Sequence, residues 1–232
     1  MPHKPFACFV TGTDTGVGKT LVTAALLCAA RSAGLSTIGL KPVAAGCEHT
    51  PEGLRNDDAL MLQQYTSVPL SYQQINPVAL AQAIAPHIAA ASEQRRVDAA
   101  RLEGLCRGVL MQRADLTLIE GAGGWRVPIN PRQYLSDLVR LLDIPVLLVV
   151  GIRLGCISHA LLSAEAIRAD GLRLLGWVAN EVDSQMPCID DNVQAIEERI
   201  GAPLVGRIGW LEGSGPVAAA AACLDINRLL PG

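Results

Sequence analysis

The sequence predicts a doubly wound α/β fold, a mostly parallel sheet with helices on both faces. Three observations predict it. Short runs apolar on both faces alternate with longer helical patterns, as a sheet covered from each side requires. Half of the 232 residues are apolar, enough for the core of one α/β domain spanning residues 1–232. A glycine-rich turn also joins the first strand to the first helix.

In chain order, FACFVTG (6–12), LSTIGLK (35–41), DLTLIEG (115–121), IPVLLVVG (144–151), RLLGWVAN (173–180) and PLVGRIG (203–209) read as strands. Helices are expected to start near Lys19, Asp58, Val97, Tyr134, Ile157 and Ile189, with Gly34 stopping the first. Residues 67–87 carry prolines and no clear period, so they read as a meandering excursion. Ligands of such folds gather at the carboxyl ends of the strands.

The turn after the first strand reads VTGTDTGVGKT. Backbone N–H groups there, with the positive end of the following helix, form an anion site, and Gly16 and Gly18 let the chain approach phosphate closely. Val17, Gly18 and Leu21 complete that segment. Lys19 is placed to reach the β and γ phosphates of ATP, and the Thr20 hydroxyl to bind Mg²⁺. The fold is therefore expected to be of the P-loop NTPase type. Five residues separate Gly12 from Gly18, one more than the usual pattern has.

Two further strand ends carry charge. Lys41 closes the second strand before Pro42, where it is either an active ammonium or a surface charge. Glu120 follows LTLI and precedes GAGG, so its carboxylate leaves a buried strand, where an unpaired charge is costly. A metal ion, or a water bound to one, is its natural partner. In RNDDAL, Asp57 reads as a helix cap, whereas Asp58 is either a cap or a site residue. Asn180 ends another strand and is placed either to read an adenine edge or to make a turn. His49, His87 and His159 lack metal-ligand spacing and read as structural.

These residues sit in a chain that resembles the dethiobiotin synthetase family, ATP-dependent enzymes that close the ureido ring in biotin synthesis. VTGTDTGVGKT, GLKPVAAG, TPEGLRNDDAL, NPVAL, IEGAGGW, IPVLLVVGIRLGCISHALL and GWVAN are similar to that family's blocks, in the family's order, over roughly residues 6–212. The longer loop is itself a family feature. The resemblance implies that 7,8-diaminononanoate and CO₂ (or bicarbonate) give a carbamate that ATP phosphorylates, after which the second amine closes the ring. It implies Lys41 and Lys19 as catalytic residues, and Thr20, Asp58 and Glu120 as the Mg²⁺ set. Gly121, Ala122 and Gly123 continue the nucleotide contact. Asn180, Glu181, Gly209, Trp210 and Leu211 fall on the adenine side.

Substrate contacts implied are Thr15, Lys41 and Ala45, with Gly155, Cys156 and Ile157 receiving the substrate carboxylate across a homodimer interface. Ala45, Gly16 and Ser158 depart from residues that some members carry. The stretch from Gly213 onward has no clear match to the family's adenine-side acidic residue. For Cys156 the simpler account is burial of a small thiol.

Composition excludes other classes. A net charge of −3 and scarce aromatics leave no basic or stacking surface for nucleic acid. No run approaches the roughly 18 apolar residues of a membrane span. Seven scattered cysteines without a C-x-x-C pair imply reduced thiols and a cytoplasmic location. Two alternatives to the synthetase are an amidotransferase-linked relative, for which the chain has no glutaminase region, and a regulatory ATPase of the partitioning or division type. The latter usually carries a further lysine early in the loop, and residues 13–17 contain none.

Overall fold

The computed structural model describes residues 4–211 and 216–230. The chain begins with β1 (Phe6–Gly12), α1 (Lys19–Ser32), β2 (Thr37–Leu40), β3 (Val43–Ala45), β4 (Glu48–Thr50), β5 (Gly53–Arg55) and α2 (Asp57–Tyr65). There follow α3 (Tyr72–Ile75), β6 (Val78–Leu80), α4 (Pro86–Ser92), α5 (Ala99–Leu110), β7 (Leu116–Glu120), α6 (Leu135–Leu142) and β8 (Val146–Ile152). The chain continues through α7 (Cys156–Ala169), β9 (Leu174–Glu181), α8 (Ile189–Ile200), β10 (Leu204–Ile208), α9 (Pro216–Ala222) and a short 3₁₀ turn at Ile226–Arg228.

Six strands form one sheet in the order β10-β9-β8-β1-β7-β2, every pair parallel. The alternation of β8 shows why both faces must be covered. Val146, Leu148, Val150 and Ile152 enter one core with α5, α6, α7 and α8. Leu147 and Val149 enter the other with α1 and α9.

Register delivers the charged residues to one edge. Leu40 lies beside Ile119, so the residues that follow them, Lys41 and Glu120, leave the sheet as neighbours. Val10 of β1 pairs with Glu120 on one side and Leu147 on the other, which puts the turn after Gly12 beside them.

The six expected strands and six expected helix starts are present within about two residues, the ordinary spread of such boundaries. Residues 67–87 are more ordered than a meander: they contain α3 and β6 and reach into α4. Parallel β3–β6 pairing and an antiparallel β4–β5 hairpin add two small sheets. Three-residue strands carry too little pattern to be read from sequence. The cap of α2 is also corrected. Asn56, not Asp57, accepts the Ala59 N–H, which leaves both aspartates inside the first helical turn. Of the C-terminal stretch from Gly213, residues 213–215 and 231–232 lie outside the described residues.

Candidate active site

The loop between β1 and α1 is shaped by two glycines with left-handed backbones, Gly16 at φ 72° and Gly18 at φ 86°. They are not equivalent. A Cβ on Gly16 would meet nothing, whereas one on Gly18 would lie 2.1 Å from the Asn180 Nδ2 atom. Asn180 is placed there by its own hydrogen bond, Nδ2 donating to the Val17 carbonyl at 2.9 Å. The end of β9 thus braces the arch. Gly16→Ala is therefore expected to cost about 1–2 kcal/mol of left-handed strain, with nucleotide affinity nearly retained. Gly18→Ala adds the clash and is expected to raise the KM for ATP roughly tenfold or more, since a small misplacement of a positioning group has that scale of effect. Melting curves and ATP titrations of the two variants check this.

Lys19 is buried, and its Nζ turns back to donate to the Asp14 carbonyl at 2.7 Å. Burial, and next the Lys41 ammonium, lower its pKa to about 8. It stays charged at pH 7 with less margin than an exposed lysine. The Asp14 carboxylate pairs with Arg153, just beyond β8, and so ties the arch to a third strand end. Neither residue was singled out from the sequence. The only signal is that each follows a strand at the ligand-bearing edge.

At the centre lies Lys41, 4% exposed. Its Nζ donates to Glu120 Oε1 at 2.6 Å, Asp58 Oδ2 at 2.8 Å and the Gly121 carbonyl at 3.2 Å. Burial alone would lower its pKa, but the two carboxylates outweigh burial and hold it above the ordinary value. For Asp58, burial is the largest single influence and acts upward, but Lys41, the Thr20 hydroxyl and Lys19 together outweigh it, so its carboxyl lies below the usual range. Thr20 Oγ1 donates to the same Glu120 Oε1 at 2.8 Å. Glu120 Oε2, by contrast, is buried with no hydrogen-bond partner among the described residues. A carboxylate oxygen left so in a water-poor setting is poised to accept a cation or its bound water.

A cavity of about 860 Å³ opens over this cluster. Thr15, Gly16, Gly18, Lys19, Thr20, Lys41, Ala45, Asp58, Ala122 and Gly123 line it. Glu120 backs it through Lys41 and Thr20. Its other wall is apolar, with Ala83, Ile84, Ala85 and Pro86 facing Val127 and Pro128. The first four come from the excursion whose pattern was too irregular to read. Asn56, the cap of α2, joins the lining as well.

The remaining expected site residues fall elsewhere. Val17 is buried beneath the arch, and Leu21 is half-buried on α1. Glu181 accepts from Arg207 at 3.0 Å, near Gly209. Trp210 is half exposed and Leu211 half-buried at the same end of β10. Gly155 caps α7 at φ 92°, Cys156 is buried and Ile157 half-buried. None of these three lines the cavity of the single chain. His87 and His159 take no part in the cluster, and His49 lies in β4.

The chain is similar to known proteins over nearly its whole length. A family model described as an AAA domain matches residues 7–218. A protein of Cellvibrio japonicus named ATP-dependent dethiobiotin synthetase BioD is 58% identical, covering 99% of this chain and 99% of its own length. Proteins of the same name from Marinobacter nauticus and Xanthomonas euvesicatoria are 55% and 46% identical. The first match covers 89% of this chain and 88% of that protein, the second 95% and 97%. Among solved structures, the MinD cell division protein of Aquifex aeolicus aligns with a TM-score of 0.55 at 16% identity, over 93% of this chain and 86% of that one. The cell division protein FtsY of Thermotoga maritima gives 0.52 at 16% identity, over 100% and 70%. At that identity these two show a shared fold alone. On sequence identity over nearly the whole length, the chain belongs to the ATP-dependent dethiobiotin synthetase family.

Proposed function

We propose that this chain converts 7,8-diaminononanoate, CO₂ and ATP into dethiobiotin, ADP and phosphate, working as one domain over residues 1–232. The observation that carries the reading is the Lys41 ammonium. It is buried at the cavity floor between Asp58 and Glu120, with β7 lying between its own strand and that of the phosphate loop.

The chemistry asks for such a group. One amine adds to CO₂ and loses a proton, giving a carbamate. A carbamate oxygen then takes the γ-phosphoryl group from ATP, releasing ADP. The second amine attacks the carbonyl of that mixed anhydride and expels phosphate, closing the cyclic urea. In the phosphorylation step two anions approach each other, and fixed cations offset the repulsion. Lys41 serves that role toward the carbamate and Lys19 toward the triphosphate. Asn180, Glu181, Gly209, Trp210 and Leu211 supply the base side of the nucleotide pocket. Gly121, Ala122 and Gly123 flank its phosphates, and Thr15 and Ala45 adjoin the diamine.

The residues present fit a magnesium ion: Thr20, Asp58 and Glu120 meet at one place, and Glu120 Oε2 lacks another partner among the described residues. Among those residues no group of three or more His, Cys, Asp or Glu forms a cage, which suits an ion held largely by water and phosphate. When bound, Mg²⁺ neutralises charge on the transferring phosphate.

A homodimer is part of the proposal. Leu154 and Leu162, at the start of α7 and one face along it, are 93% and 60% exposed. A second copy seated there would bring Gly155, Cys156 and Ile157 to its neighbour's substrate. A cytoplasmic location accords with the cysteines being thiols. No helix among the described residues is long and apolar enough to cross a membrane.

The test is to supply Mg-ATP and bicarbonate with and without the diamine. Phosphate release is expected to require the diamine, with one cyclic urea formed per phosphate. Diamine-independent hydrolysis without a urea product would overturn the proposal and point to a regulatory ATPase.

A further inference from the structure

The wall of the cavity formed by residues 121–128 has no regular secondary structure of its own. Its first residue is fixed from beneath, the Gly121 N–H donating to the Val10 carbonyl and its own carbonyl accepting from Lys41. Its far half is held differently. Trp125 Nε1 donates to Asp170 Oδ2 at 2.8 Å, and Arg126 grips the same carboxylate with Nη1 at 2.6 Å and Nη2 at 2.9 Å. Three donors from two consecutive loop residues thus converge on one side chain, 11% exposed, from the end of α7. Trp125 is anchored further by an edge-on contact with Phe9, ring centroids 6.2 Å apart.

Asp170 is the C-cap of α7. A carboxylate there faces the negative end of the helix dipole, so helix stability does not account for it. A bidentate guanidinium–carboxylate pair, in contrast, fixes orientation as well as distance.

We propose that Asp170 is a positioning residue for the diamine. Acting through Trp125 and Arg126, it holds Val127 and Pro128 against the Ala83–Pro86 wall and so sets the width of the apolar part of the cavity. It acts on the organic substrate and not on the nucleotide, because the phosphate-side end of the loop is pinned separately at Gly121. This inference rests on the function proposed above.

The experiment uses Asp170→Asn, Arg126→Lys, Arg126→Ala and the double variant Arg126→Ala/Asp170→Ala. Asp170→Asn is expected to raise the KM for the diamine about tenfold, the scale for a displaced positioning group, with kcat and the KM for ATP within about twofold. Arg126→Lys is expected to recover part of the effect of Arg126→Ala. The double variant is expected to be no worse than the poorer single, since both remove one clamp. Hydrogen exchange in 122–128 is expected to quicken in Asp170→Asn while β1 and β7 stay protected. A folded Asp170→Asn protein with unchanged diamine KM and unchanged exchange would overturn the proposal. So would single effects that multiply in the double variant. If the unmodified protein makes no cyclic urea, the functional reading fails, and the exchange measurement still decides the clamp.

Discussion

Replacing Lys41 by alanine is expected to slow ring closure about a thousandfold or more, while the affinity for ATP changes less than about fivefold. The asymmetry follows from where its charge lies. On the function proposed above, Lys19 and the backbone of the loop would hold the triphosphate in the ground state, so loss of Lys41 would leave that binding intact. What would disappear is the cation proposed to meet the carbamate as the phosphoryl group moves. Lys41→Arg is not expected to restore the rate. Nζ makes three contacts from a single point, and a planar fork cannot reproduce them in a site 4% exposed. Single-turnover measurements of phosphate and urea formation, beside direct ATP titration, check the pair of outcomes. A parallel fall in rate and ATP affinity would make Lys41 a nucleotide ligand instead.

The sheet was legible because its strands are buried on both faces and its helices are long. β8 alone offers seven consecutive buried residues, a pattern no surface segment imitates. The centre of the site was legible for a related reason. Lys41 and Glu120 each end or follow such a strand, Lys19 follows the glycine-rich turn after one, and the fold sends strand ends to the ligand. Asp58 needed the family resemblance, because an acidic residue in a first helical turn has an ordinary explanation that sequence cannot remove. Contacts between distant segments were not legible at all. Arg126 and Trp125 meet Asp170 some 44 or 45 positions later, and Asp14 meets Arg153 after 139. Nothing local in either residue announces its partner. The apolar wall at Ala83–Pro86 was hidden for the opposite reason, since it is built from short elements whose order comes from packing and not from period.

Glu120→Gln is the variant that separates the two roles of the central carboxylate. Volume and the acceptor for Thr20 are retained, but Lys41 loses its nearer counter-charge and the site loses a proposed magnesium ligand. The rate is expected to fall roughly 100- to 1,000-fold, with half-saturation by Mg²⁺ shifted upward about tenfold. Stability is expected to drop by about 3 kcal/mol, the lower end for a broken buried pair because Asp58 remains beside the ammonium. Adding Lys41→Met to Glu120→Gln removes the cation that Asp58 alone compensates only in part. A buried pair replaced on both sides is often close to neutral, so the double variant is expected to regain most of the lost stability. Activity, however, is expected to stay as low as in the single variants, because neither charge is available to the reaction. Urea denaturation and Mg²⁺ titration of the three proteins test this directly. If stability fails to return in the double variant, the cost in Glu120→Gln arises from packing and not from the stranded charge. If activity returns with stability, the Lys41–Glu120 pair belongs to the fold alone, and the transferring phosphate must be met by other cations.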